Sequence, residues 1–574
     1  MTSRPRILEL ALLLGFCLFL FFYGLAAFGL VGVDEPRYAQ VAREMLARHD
    51  WVTPVLYGQP WLEKPILYYW QAMLAYKIFG VSDWAARLPS ALLATLLVFA
   101  VYLFCRRVRR APDGRLFASG GAGRGVQLDA ALMTASSALV LGMARAASTD
   151  MSLAAPFTVS MLCWYAWYES VAWAQPRRWF LLGFHAALGL ATLAKGPVAP
   201  GLAALIIVAF CLTMRQPRLI AQTLWIPGLV CFLAVTLPWY VEVQLQTPQF
   251  LRVFILEHNL ARFGTNIFRH KQPFWYYVPV ILLATAPWTL FAVLGVIDAV
   301  KQRPWLSFRA ANKQPENTAA AAGGVKSPLS LFLLLWGVIP VVFFSLSQSK
   351  LAGYILPSVP ALTILAALAA HDRMRTGRRV AWVVVLHAAI CAAVIAGVLL
   401  APTLVLKLRP APRAIGFSLA AGAFTLLVVG GMLFARGLRM LRPLTLLPVV
   451  IGVAFLLRVA APSIDAAQSA RPAARFLREV GVGPDDRLAS FSVRREVAYG
   501  LAFYRNRPPE VYEGWPLLDA NEFPSSGTPP PGSFYVLTRG DLRPELQRIM
   551  PERRLRPVGF YGPQHFEVLA VGPK

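Results

Sequence analysis

The chain has 574 residues, 57% of them hydrophobic and 15% charged, with a formal net charge of +27 and a mean hydropathy of +0.54. Apolar runs of membrane-spanning length recur along most of it, which excludes a soluble multidomain protein and predicts a polytopic membrane protein. The Lys/Arg excess falls in short loops between the runs, so it reads as a positive-inside bias facing anionic lipid, not as a nucleic-acid surface.

In chain order, the first run, Ile7 to Leu30, is too long for a signal peptide and precedes no small-residue cleavage site, so a retained first helix is expected. Run length predicts about thirteen spans. They lie near 8–31, 85–105, 128–146, 151–172, 179–194, 197–214, 219–240, 275–298, 328–346, 351–370, 380–401, 414–435 and 441–460. The basic connections Arg106 to Arg110, Pro176 to Arg178, Arg215 to Arg218, Lys301 to Lys326, Arg373 to Arg379 and Arg436 to Arg442 then fall on one side, with Arg4 and Arg6. That side is expected to be cytoplasmic. The other side receives the loop 32–84, the turns at Asp150 and Lys195, the loop 241–274, the turn Ser347 to Lys350 and the carboxyl tail.

Within the loop 32–84, Glu35 to His49 and Ile66 to Phe79 carry apolar residues at helical spacing and predict two helices lying at the interface. Their aromatic residues suit core packing equally well. From about Ser463 the composition changes. Arg471 to Val480 reads as an amphipathic helix, and Leu488–Val493, Ser533–Leu537 and Phe566–Val571 as strands separated by Pro-rich turns. The expectation is a transmembrane unit over 1–462 and a soluble α/β domain over 463–574 with a docking or structural role. The cysteines Cys17, Cys105, Cys163, Cys211, Cys231 and Cys391 lie in or beside apolar runs without metal spacing, so neither disulfides nor a cysteine metal site are expected.

Chemistry concentrates where ionisable groups meet span ends, because such groups are expensive there without water, a partner or a substrate. Val33-Asp34-Glu35-Pro36-Arg37-Tyr38 and Trp61-Leu62-Glu63-Lys64-Pro65 are the densest examples. Each has a plainer reading. Asp34 or Glu35 could cap a helix ahead of Pro36, Lys64 could snorkel, Asp150 could cap the next span, and Lys195 could be a C-terminal cation before Gly196.

As a set, the motifs resemble a known family. They are Val-Asp-Glu-Pro-Arg-Tyr-Ala at 33–39, Trp-Leu-Glu-Lys-Pro at 61–65, Thr-Leu-Ala-Lys-Gly-Pro at 192–197 and Leu-Pro-Trp-Tyr at 237–240. Glu-His-Asn-Leu-Ala-Arg-Phe at 257–263, Gln-Pro-Phe-Trp-Tyr-Tyr at 272–277, Phe-Ser-Leu-Ser-Gln-Ser-Lys at 344–350 and Tyr-Ile-Leu-Pro at 354–357 complete it. The set is similar to the GT-C membrane glycosyltransferases of the lipid A aminoarabinose transferase branch, which are related to protein O-mannosyltransferases. The resemblance implies a mainly α, polytopic GT-C fold in a Gram-negative inner membrane, with its site on the periplasmic face. It implies transfer of 4-amino-4-deoxy-L-arabinose from undecaprenyl phosphate to a lipid A phosphate, giving polymyxin resistance. The alternative is a GT-C enzyme moving another sugar to protein hydroxyls or a different glycan. A secondary transporter is disfavoured, because the charges sit at span ends and no paired internal repeat is evident.

Given that chemistry, Asp34, Glu63, Lys64 and Asp150 are the catalytic candidates. Arg37, Tyr38, Lys195, Arg262, Lys271, Lys350 and Tyr354 are the candidates for binding the donor lipid and its phosphate. Cations in a low-dielectric cleft stabilise the leaving phosphate, and a carboxylate opposes the developing positive charge on the sugar. No cofactor is required. Glu63 with His258 and His270 could bind a divalent cation such as zinc without a catalytic role.

Overall fold

The computed structural model describes residues 4–108, 125–172, 174–261, 272–301, 328–376, 381–405, 412–512, 515, 529–530 and 532–573. Helix α1 (Arg4–Cys17) continues through a π turn to Phe22 and stops there, where Tyr23 turns extended and Gly24 takes a left-handed φ of 60°. The predicted first span, 8–31, is therefore helical only in its first two-thirds. The segment beyond Phe22 supplies backbone carbonyls to the site described below.

Helix α2 (Asp34–Ala47) follows, then a two-residue-per-strand hairpin, β1 (Val55–Leu56) and β2 (Gln59–Pro60), and α3 (Leu67–Phe79). Asp34 and Glu35 place negative charge in the first turn of α2, where the helix dipole favours it, and Pro36 needs no intrahelical hydrogen bond there. Gly80, at φ 78°, ends α3. Helices form over both segments where they were predicted. Val33 is the N-cap of α2, so neither Asp34 nor Glu35 fills the capping position.

The long helices come next: α4 (Asp83–Val108), the pair α5 (Val126–Ser136) and α6 (Ala138–Ala144), α7 (Thr149–Ala172), α8 (Arg178–Lys195) and α9 (Val198–Thr213). After them come α10 (Arg218–Thr223), α11 (Ile226–Gln246) and further apolar helices up to Gln468. Each of the thirteen predicted stretches holds a helix or a broken helix. Among the described residues, seven helices are long and apolar enough to cross a membrane, or nine if each bent pair is one span.

The two bends correct the straight spans expected at 128–146 and 275–298. α5 and α6 are bent by 63°, and Phe274–Ala284 meets Thr289–Lys301 at 115°. At the first bend, the hydroxyls of Ser136 and Ser137 bond back to the carbonyls of Leu132 and Met133, a pattern that bends helices. At the second, Pro287 cannot continue the ladder. The breaks satisfy one another. Ala138 N–H donates to the Ala286 carbonyl at 2.9 Å, and the Trp288 indole donates to Ser136 Oγ at 2.8 Å. Broken helices of this kind occur in transporters, but this junction is made of hydroxyl, indole and backbone groups rather than ions.

Near the C-terminus, a mixed four-stranded sheet has the order β3-β4-β6-β5. β3 (Leu488–Phe491) is parallel to β4 (Phe534–Arg539), while β6 (Phe566–Pro573) is antiparallel to β4 and to β5 (Arg553–Tyr561). The expected helix forms over Arg471–Glu479, joined by two unforeseen helices, Arg495–Arg505 and Arg543–Ile549. β5 was also unforeseen. It opens on Arg553-Arg554-Leu555-Arg556 and shifts register between Pro557 and Gly559, so it lacks the apolar alternation that marks a strand.

Candidate active site

The two adjacent carboxylates at the start of α2 have different fates. Glu35 is 6% exposed and locked to Arg87, itself 1% exposed, by contacts of 2.6 and 3.1 Å. Arg87 also donates to the carbonyls of Leu25, Phe28 and Gly29, while Glu35 accepts the N–H groups of Val31 and Ala147. This pair fastens the first loop to α4 and to the turn before α7. Sequence reasoning missed Arg87, although an arginine inside a predicted span was a usable signal. Asp34 points elsewhere. Its side chain is 51% exposed and accepts from Arg37 Nη2 at 2.6 Å.

Arg37 is 6% exposed and also reaches Glu63 at 3.3 Å, and Glu63 pairs with Lys64 at 2.7 Å. Burial opposes the Arg37 charge, but Glu63, Tyr38 and Asp34 more than compensate and raise its pKa well above the usual value. Aromatic rings surround the guanidinium: Trp61 at 5.0 Å, Tyr38 at 5.3 Å and Tyr499 at 5.7 Å from Cζ. Trp61 is delivered by the hairpin, whose tip residues Tyr57 and Gly58 are both left-handed, as a tight two-residue turn requires. Glu44 accepts both of their N–H groups. Tyr38 is buried among Tyr68 and Tyr69, and burial pushes its phenol well above the ordinary range.

Asp150 and Lys195 stand at the same end of the antiparallel helices α7 and α8, with Lys195 Nζ 2.5 Å from Asp150 Oδ1. Asp150 also accepts from Ser148 Oγ at 3.1 Å. Burial alone would raise the pKa of this carboxyl, but Lys195, Ser148 and the charge of Lys64 hold it below the usual range. The influence of Lys64 links the two clusters. Lys195 does occupy the last turn of α8 before Gly196, so its plain role at the helix end and its ion pair coexist. The Tyr354 ring lies 5.5 Å from Lys195 Nζ.

Lys350 differs from the other cations. It is 6% exposed, and its ammonium donates to the carbonyls of Ser347 at 2.5 Å and Gln272 at 3.2 Å. Among the described residues no carboxylate pairs with it. Burial lowers its pKa. Gly353 brings this turn against Asp150: a Cβ there would lie 2.7 Å from Asp150 Oδ1 and 3.0 Å from Cγ. Gly353→Ala is therefore expected to displace the Asp150 carboxylate from Lys195 at a cost of about 1–3 kcal/mol. Thermal unfolding of the purified variant checks this, and an unchanged Tm would contradict it.

A cavity of about 460 Å³ opens beside the end of α8, lined by Thr192, Pro197, Leu237, Tyr240, Val241 and Ile255 among others. Arg262, Lys271 and His270 lie outside the described residues. Among the described residues, no three His, Cys, Asp or Glu side chains are grouped to hold a metal ion. Separate ion pairs lie elsewhere, Arg107 with Glu169 at the end of α7 opposite Asp150, and Arg373 with Asp298. Lys64, for which a snorkelling role was the plainer expectation, contacts Glu63 at 15% side-chain exposure.

Residues 7–254 match the sequence profile of the family described as dolichyl-phosphate-mannose-protein mannosyltransferase. The chain is 31% identical over 371 residues to an undecaprenyl phosphate-alpha-4-amino-4-deoxy-L-arabinose arabinosyl transferase of Pseudomonas aeruginosa (strain UCBPP-PA14), covering 64% of this chain and 61% of that one. A relative of the same description from Aeromonas salmonicida is 31% identical over 383 residues, covering 64% and 62%. The chain thus spans about three-fifths of the length of the curated relatives it matches. The fold is that of a crystal structure of ArnT from Cupriavidus metallidurans bound to undecaprenyl phosphate. The TM-score is 0.73 at 23% identity, over 99% of this chain and 98% of the other.

Proposed function

We propose that this chain is a GT-C membrane glycosyltransferase that moves 4-amino-4-deoxy-L-arabinose from undecaprenyl phosphate to a lipid A phosphate. The observation that carries the reading is a largely buried group of cations. Among the described residues, Arg37, Lys64 and Lys195 contact the carboxylates Asp34, Glu63 and Asp150, while the buried Lys350 ammonium is held by backbone carbonyls.

Cleaving the anomeric C–O bond leaves a polyprenyl phosphate of increased negative charge. Preorganised cations in a low-dielectric cleft stabilise that charge more than they stabilise the intact donor. Lys350 and Lys195 take that role, with Arg37 and Lys64 steering the phosphate. The apolar cavity beside Lys195 suits part of an isoprenoid chain. Asp34 is the exposed carboxylate of the set, and it faces the sugar or the acceptor. With a hydroxyl acceptor it would remove a proton. With a lipid A phosphate, already an anion, it would orient the acceptor or pair with the cationic aminosugar. The site then belongs on the periplasmic face of the inner membrane, opposite the basic loops, and the product is a less anionic surface that binds polymyxin weakly.

Burial of Lys350 gives a pH signature. Its ammonium is expected to lose its proton at lower pH than an exposed lysine, so affinity for undecaprenyl phosphate should weaken as pH rises through that lowered pKa. Lys350→Arg should move the loss to higher pH. A titration of donor-lipid binding checks this, and profiles that superimpose would contradict it.

The profile match favours a second acceptor class, protein hydroxyls. Mass spectrometry of lipid A from induced cells with and without the gene separates the two. Loss of the aminoarabinose increment on deletion supports the first reading. Unchanged lipid A with loss of a protein-linked sugar supports the second.

A further inference from the structure

We propose that the C-terminal unit completes the phosphate side of the cleft through Tyr499, a positioning residue that confines the Arg37 guanidinium. The inference rests on Arg37 serving the donor phosphate, as proposed above. Tyr499 lies within the helix Arg495–Arg505, is fully buried, and sets its ring 5.7 Å from Arg37 Cζ. The same ring stacks on Tyr57 at 6.1 Å and 17°. Tyr57 itself is fixed at the hairpin tip by Glu44.

Geometry explains why Arg37 needs this ring. Asp34 and Glu63 both contact Nη2, one corner of the guanidinium. Rings packed around the guanidinium restrict its plane and add cation–π attraction. Trp61 and Tyr38 come from the same loop as Arg37. Tyr499 comes from the other end of the chain, so docking of the C-terminal unit is needed to complete the enclosure.

That docking is secured by other groups. Arg43 donates to the Phe503 carbonyl at 2.9 Å, and the Tyr504 hydroxyl donates to Asp83 and accepts from Leu30 N–H, each at 2.7 Å. Arg471 bridges Asp83 at 3.0 Å and Asp465 at 2.8 Å, and Asp465 accepts Gly29 N–H at 2.7 Å. Changing the Tyr499 ring leaves these anchoring contacts in place.

The test is a titration of the full-length protein with undecaprenyl phosphate, with Tm measured in parallel. Tyr499→Leu is expected to weaken binding about tenfold at a near-native Tm, and Tyr499→Phe, which keeps the ring, to stay within about twofold. Tyr57→Leu, which removes the ring bracing Tyr499, is expected to weaken binding about threefold and carries the test if Tyr499→Leu fails to fold. Native affinity in the leucine variants, or equal losses in Tyr499→Phe and Tyr499→Leu, overturns the inference while leaving the functional reading intact. A wild-type protein that binds no undecaprenyl phosphate overturns both.

Discussion

Asp34→Ala is expected to lower sugar transfer by at least about 100-fold, the scale of a positioned acid–base or charge-stabilising group, while leaving the Tm close to that of the wild type. The split follows from how Asp34 sits. Its side chain is half exposed, and its partner Arg37 keeps Glu63 as a second carboxylate. Little folding energy depends on it, since exposed ion pairs contribute about 0–1 kcal/mol. Asp34→Asn keeps the hydrogen-bond acceptor but removes the charge, and should fail nearly as badly. Arg107→Ala, at the opposite end of α4, should leave transfer unchanged. Wild-type transfer by Asp34→Ala would remove Asp34 from the chemistry.

Arg87→Ala should have the reverse character. It leaves the buried Glu35 carboxylate without its cation and three carbonyls without a donor. Breaking a buried pair from one side costs about 3–5 kcal/mol, enough to lower the yield and Tm of the purified protein sharply. Lysine cannot reproduce five N–H donors in a planar fork, so Arg87→Lys should recover little. If Arg87→Ala purified with a native Tm, the Glu35–Arg87 pair would not be the fastening of the first loop. Together the two variants separate neighbouring carboxylates, the half-exposed one proposed for chemistry and the buried one paired with Arg87.

The helical framework was legible because it is written locally: apolar run length marks the spans, and period 3.6 marks α2 and α3. The candidate residues stood out as isolated charges at span ends against an apolar background, and the fold brings Asp34, Arg37, Glu63 and Lys64 into one chain of contacts and sets Lys195 on Asp150. Their partnerships were not legible. Nothing near Glu35 in the sequence announces Arg87, and nothing near Arg37 announces Tyr499, because both contacts depend on tertiary packing. The bends at Ser137 and at Pro287 were masked by continuous hydrophobicity, which reports burial but not direction. β5 hid behind its arginines. Tyr38, read as a ligand contact, sits in the aromatic cluster packed around Arg37.

Single-turnover transfer by the purified, reconstituted protein is the most direct trial. Undecaprenyl phosphate-linked aminoarabinose and lipid A are supplied together, and both lipid products are weighed by mass spectrometry. Equimolar appearance of free undecaprenyl phosphate and aminoarabinose-bearing lipid A is the predicted result. An intact donor after prolonged incubation with folded protein, or a donor cleaved only to free sugar, would contradict it.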